Sequence, residues 1–133
     1  DAEALPLSAF PASEVSVEYG WTSVDYSWTG SGWARRQNGS AHVDAAGVRV
    51  APANVIVQFV RYGTSPAAAT SPEAITTGSG VAWIFTDGHL IIGEWDRTDP
   101  ELPALYHVDG ETIRLSPGRT WVSLAEAGTA SWN

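Results

Sequence analysis

Residues 81–95 read VAWIFTDGHLIIGEW, and this stretch decides the fold class. Asp87-Gly88 at its centre is a hairpin signal, because a two-residue type I′ turn needs positive φ at both central positions. Folding about that turn sets Phe85 opposite Leu90, Ile84 opposite Ile91 and Trp83 opposite Ile92. Side chains alternate along a strand, so both faces of the hairpin are apolar. Burial on two sides belongs to the centre of a sheet, where each large side chain contributes roughly 1.5–3 kcal/mol.

The same reading extends outward. Residues 54–62 (NVIVQFVRY) form a long β-branched strand, with Val55, Val57 and Phe59 on one side and Ile56, Gln58 and Val60 on the other. Asp109-Gly110 turns 105–108 into 111–115, and Ser116-Pro117-Gly118 leads into a last strand at 120–124. Turn residues punctuate short alternating segments, and no long stretch follows the helical period. The expectation is an all-β domain, an antiparallel sandwich or partly closed barrel of about seven to nine strands. Residues 1–13, with Pro6 and Pro11, read as a linker or lead-in strand before a single domain over 14–133. Residues 64–77, Ala-rich with Pro66 and Pro72, read as a mobile loop with one helical turn after Ser71.

Composition sets the function classes. Within 133 residues, seven Trp, four Tyr and three Phe supply ample surface for one buried core. Fifteen acidic residues face seven Arg and no Lys, for a net charge of -8. That balance opposes nucleic-acid binding, which needs basic side chains to displace counterions, and it repels anionic membrane surfaces. Without Cys there is no disulfide, thiolate metal site or Cys nucleophile. The apolar runs at 81–85 and 90–92 fall well short of the ~20 residues that span a bilayer, so no direct membrane insertion is expected. The chain opens on Asp1 and has no Met, which points to a processed product or excised domain.

A second hairpin carries the candidate site. Residues 33–44 read WARRQNGSAHVD, and the Asn38-Gly39 turn sets Gln37 opposite Ser40, Arg35 opposite His42 and Trp33 opposite Asp44. These six share one face, with Ala34, Arg36, Ala41 and Val43 on the other. Two readings stand. In one, Arg35 holds a carboxylate ligand and Asp44 orients His42, the arrangement used in general acid-base work. In the other, the group is a cross-strand network that fastens a sheet edge. Ser40 has neither a nucleophile elbow nor an oxyanion hole, so no catalytic residue is assigned. His42, His89 and His107 lie in separate hairpins and match no zinc spacing, and Asp96, Asp99 and Glu101 lack an EF-hand pattern. No metal or cofactor is expected. Trp21, Trp28 and Trp33, interleaved with Tyr19 and Tyr26, suit either sugar stacking or ordinary packing, while Trp83, Trp95 and Trp121 are assigned to the core.

The order of these motifs resembles a known family. An aromatic, Arg, Asn-Gly, His and Asp fall on Trp33, Arg35, Asn38, Gly39, His42 and Asp44. An Asn-Val-hydrophobic-Val-Gln strand falls on 54–58, and Gly78 and Gly80 lead to Asp87, Gly88, Gly93 and Trp95. A Pro-Gly-x-Thr-Trp motif closes the series at Pro117, Gly118, Thr120 and Trp121. This pattern, over about 33–124, resembles the C-terminal domain of the YerB-like bacterial lipoproteins, a domain of unknown function. The resemblance departs in the lack of Lys and in the Ala-rich insert at 66–70. It implies a secreted, cell-envelope protein anchored through an N-terminal lipid, with this domain as the outer half of a longer chain. It implies no activity.

The leading expectation is an extracytoplasmic, non-enzymatic binding or interaction module of unknown ligand. Its candidate ligand-binding residues are Trp33, Arg35, His42 and Asp44, with Asn54 and Gln58 as neighbours. The implied partners are its own N-terminal domain and cell-wall glycan or an envelope protein. One alternative is an envelope enzyme using His42 and Asp44. The other is a structural domain that supports the N-terminal partner.

Overall fold

The computed structural model describes residues 9–20, 22–63, 73–113 and 115–133. Trp21, most of the lead-in segment and most of the Ala-rich loop therefore lie outside the described residues. Fourteen short strands and no helix make up the described chain. They exceed the expected seven to nine because many are pieces of two or three residues.

The hairpin at 81–95 forms the centre of the larger sheet. Strands β9 (Gly78–Thr86) and β10 (His89–Arg97) pair in the expected register, Phe85 with Leu90, Ile84 with Ile91 and Trp83 with Ile92. Asp87 and Gly88 take φ of 50° and 71°, and Asn38-Gly39 and Asp109-Gly110 repeat the pattern. Outside this hairpin lie β11 (Leu105–Val108) and β12 (Glu111–Thr112) on one side. On the other side lie β6 (Asn54–Phe59) and then β13 (Thr120–Ala125), which runs parallel to β6. A short β1 (Phe10–Pro11) pairs with the start of β10.

The second sheet holds β2 (Glu14–Glu18), β3 (Ser23–Trp28), β4 (Trp33–Gln37), β5 (Ser40–Ala41) and β14 (Ala130–Trp132) in the order β14-β2-β3-β4-β5. A separate pair, β7 (Arg61–Gly63) and β8 (Glu73–Ile75), replaces part of the expected loop, so the residues after Pro72 are extended rather than helical.

The alternation in β6 divides two cores. Val55 and Val57 join Val15, Val17, Val24, Tyr26, Trp33, Phe85 and Leu90 between the sheets. Ile56 and Val60 join Ala82, Ile84, Ile91 and Trp95 on the far face. The fold is thus an all-β sandwich, and neither sheet closes into a barrel. Trp95 fits because Gly80 has no side chain: a Cβ there would stand 2.7 Å from the indole nitrogen, which donates to the Phe59 carbonyl at 2.8 Å. The smaller sheet does not cover the whole inner face of the larger one. Val81, Ile92 and Leu105 remain about half exposed, against the expectation that both faces of the central hairpin are buried.

Two turn glycines differ in their surroundings. Gly39 has open space where a Cβ would go, whereas a Cβ on Gly88 would meet the Trp28 indole at 2.9 Å. Left-handed backbone disfavours Ala at both by about 1–2 kcal/mol. Urea unfolding should therefore show Gly88→Ala to be more destabilising than Gly39→Ala, and equal losses would contradict the turn-to-core contact.

Candidate functional site

Strand alternation settles which way the polar hairpin faces. Tyr26 stands opposite Arg35, Trp28 opposite Trp33 and Val24 opposite Gln37, so Arg35 and Gln37 lie on the same face as buried Tyr26 and Trp33. That is the inner face of the smaller sheet. Arg36, on the outer face, is neutralised by Asp25 at 2.8 Å and Glu14 at 3.7 Å.

Arg35 occupies the open end of the sandwich. Its Nε donates to the Tyr26 hydroxyl at 3.3 Å, and Nη1 donates to Gln37 Oε1 at 3.2 Å and His42 Nδ1 at 2.8 Å. Arginine only donates, so His42 Nδ1 must accept, which leaves its proton on Nε2. The guanidinium lies 5.1 Å from the centre of the Trp121 ring on β13, within cation–π range, and His42 meets the same ring edge-on at 5.8 Å. Among the described residues, no carboxylate pairs with Arg35 and its Nη2 has no hydrogen-bond partner.

A cleft of about 540 Å³ opens beside this group. One wall is Tyr19, Thr22, Val24, Tyr26, Arg35 and Gln37, and the other is Tyr62 with residues 121–124. Burial raises the pKa of the Tyr19 hydroxyl above the ordinary tyrosine value, and the neighbouring Ser123 side chain opposes this. Tyr19 is therefore a neutral phenol at physiological pH. The cleft thus combines one arginine, three tyrosines and a tryptophan, a set suited to an anionic group with an apolar arm.

The other sequence-selected residues lie elsewhere. Trp33 is fully buried between Trp28 and Phe85, so it reaches no ligand from solution. Asp44 does not face Trp33 or His42. Its Oδ1 accepts from the N–H groups of Ala46 and Val48 at 2.9 and 3.0 Å, closing a turn, and the chain returns to pair Val50 with Arg35 and Pro52 with Trp33. The His42–Asp44 acid-base pair is consequently not formed. Gln58 is buried on the far face, where Tyr106 donates to it at 2.6 Å. His107 contacts Asp96 at 2.9 Å and Glu94 at 3.6 Å, and no group of three or more metal-ligating side chains converges among the described residues.

Asn54 is also fully buried, and its role is to place the site. Its amide nitrogen donates to the Ser116 carbonyl at 2.9 Å and to Thr120 Oγ1 at 3.2 Å. Its oxygen accepts from the Thr86 hydroxyl at 2.7 Å, which also contacts Ser116 Oγ at 2.9 Å. This knot holds the Pro117-Gly118 turn and Thr120 on β6, and so delivers Trp121 to the cleft wall.

Residues 12–122, a span that includes this knot and the Asn-Gly hairpin, match the family model of the protein of unknown function (DUF3048) C-terminal domain. The chain belongs to this family. Its fold is shared with the crystal structure of the YerB protein from Bacillus subtilis, at a TM-score of 0.82 and 20% identity, over 93% of this chain and 44% of that one. The chain thus spans less than half the length of YerB. Comparison with curated proteins finds no match. Of the motif residues read in the sequence, Arg35 and Trp121 line the cleft, His42 contacts both of them, Asn54 and Thr120 hold the strand that carries Trp121, and Trp33 and Trp95 are core.

The sequence reading names Tyr19 only among aromatics suited to sugar stacking or packing, gives Tyr62 and Ser123 no role in a site, and assigns Trp121 to the core. The available signal was the alternation of β13, which puts Trp121 and Ser123 on one face, toward the other sheet.

Removing Asn54 deprives the Thr86 hydroxyl of its acceptor in Asn54 and leaves the part-buried Ser116 carbonyl without the amide donor. Asn54→Ala should lower unfolding stability by about 1–3 kcal/mol in urea denaturation. A change within error would show that the knot is not a constraint.

Proposed function

We propose that this domain is a non-enzymatic binding module of the cell envelope that takes a carboxylate-bearing ligand in the cleft beside Arg35. The observation that carries this reading is Arg35 itself. In a chain with net charge -8, a partly buried arginine on an inner sheet face has no carboxylate partner among the described residues. Such a guanidinium, already oriented by Tyr26, Gln37 and His42, offers its remaining donors to a ligand with little ordering left to do. Trp121, Tyr19 and Tyr62 supply the apolar walls.

The non-enzymatic part is supported by His42 and Asp44, since Arg35 engages Nδ1 of the first and the second closes its own turn. The extracytoplasmic setting, with an N-terminal lipid anchor and a preceding domain in the whole protein, is supported by the likeness to YerB-like lipoproteins.

The test is a titration followed by ¹H–¹⁵N NMR with N-acetylphenylalanine and its neutral amide as probes. The acid should shift the Arg35 Nε, Gln37 amide and Trp121 indole signals, and the amide should bind more weakly. Arg35→Ala should weaken the acid by about tenfold or more, as expected for a charge-assisted hydrogen bond. Arg36→Ala, on the outer face, should change it by less than about twofold. Equal binding of acid and amide, or retention by Arg35→Ala, would overturn the reading.

A further inference from the structure

We propose that the cleft is the side-chain pocket of a strand-addition site, in which an extended peptide bearing a carboxylate pairs with the free edge of β13. This rests on the cleft being a binding site.

Among the described residues, β13 is the outermost strand of the larger sheet and pairs only with β6. In a parallel strand, the N–H and C=O of one residue point to the same side, and the side alternates along the chain. The carbonyls of Arg119 and Ala125 accept from Asn54 and Val60, so odd-numbered residues direct their backbone toward β6. Thr120, Val122 and Leu124 direct theirs outward. The Leu124 carbonyl fixes this parity by accepting from the Tyr62 hydroxyl at 3.3 Å. The N–H and C=O of Val122 have no partner among the described residues.

That open edge runs along the cleft. Residues 121–124 all line it, although alternation brings only every second side chain to one face. The lining is therefore the strand's edge as well as its inner face. A peptide pairing here hydrogen-bonds with Val122, and its alternate side chains turn toward Arg35, Trp121 and Tyr19. The unpartnered Nη2 of Arg35 matches a carboxylate in that position.

The edges of the sandwich are not treated alike. Exposed edges are normally blunted by short length, charge or proline. β5 and β12 have two residues each and β14 has three. β13 has six, TWVSLA, with no charge and no proline. Val122, at the middle of this edge, is 47% exposed. Main-chain donors and acceptors at strand spacing select a peptide rather than a sugar.

The test uses nine-residue synthetic peptides of alternating apolar sequence with a central Glu, the matching Gln peptides, and Glu peptides N-methylated at alternate amides. The Glu peptide should slow exchange of the Val122 amide by about tenfold or more. The Gln and N-methylated peptides should bind at least about tenfold more weakly. Val122→Pro, which deletes the edge N–H, should lose the peptide while its NMR spectrum remains that of a folded chain. If N-acetylphenylalanine binds at Arg35 while no peptide protects Val122, strand addition is wrong and the cleft reading stands. If neither probe binds, both fall. Concentration-dependent protection of Val122 without peptide would mean that a second copy closes the edge, which also overturns the proposal.

Discussion

The buried amide of Asn54 is the constraint on which the rest of the site depends. A primary amide with no exposure must have its donors and acceptor met by protein, or it destabilises the fold by kcal/mol amounts. Asn54 meets that demand with Thr86 at the end of β9 and with Ser116 and Thr120 around the turn into β13. The consequence is geometric. Thr120 is locked beside Asn54 as the first rung of the parallel ladder, so every later residue of β13 has its face decided. A slip of one residue would carry Trp121 to the far side of the sheet.

With Trp121 facing inward, an arginine on the opposing sheet becomes tolerable. Arg35 stacks over the indole, and Tyr26, Gln37 and His42 accept its hydrogen bonds. None of these partners carries a negative charge, so the guanidinium is oriented without being neutralised. Arg36, one residue away, shows the contrast: it faces outward and sits between Asp25 and Glu14. Two adjacent arginines therefore have opposite electrostatic situations, set by strand alternation alone. The cleft opens between the two sheets, with the inner face of the smaller sheet as one wall and β13, whose outer edge is bare among the described residues, in the other.

The hairpins were legible in sequence because their registers are local. Each Asn-Gly or Asp-Gly turn requires two positive φ values, and the pairing of 81–86 with 89–95 follows from that alone. The hairpin at 33–44 follows the same rule as far as Arg35 and His42. It then departs, because Asp44 and Gly47 make a tight turn and the chain makes an excursion before returning at Val50. The Asp-x-x-Gly spacing was a readable turn signal. The roles of Asn54 and Gln58 were not legible. Their partners lie 32 to 66 positions away, and polar residues in a strand look alike whether they bind a ligand or close a buried network. Trp121 was assigned to the core for the complementary reason: nothing local reveals where a sheet's cover ends.

The most direct measurement of this account is the chemical shift of the Arg35 side-chain protons by NMR, in the native chain and in Asn54→Ala under conditions where both are folded. Stacking on Trp121 should move those signals well upfield through the ring current, and loss of the Asn54 knot should return them toward the values of an unstacked arginine. Upfield signals unchanged in Asn54→Ala would contradict the claim that this buried amide positions the cleft.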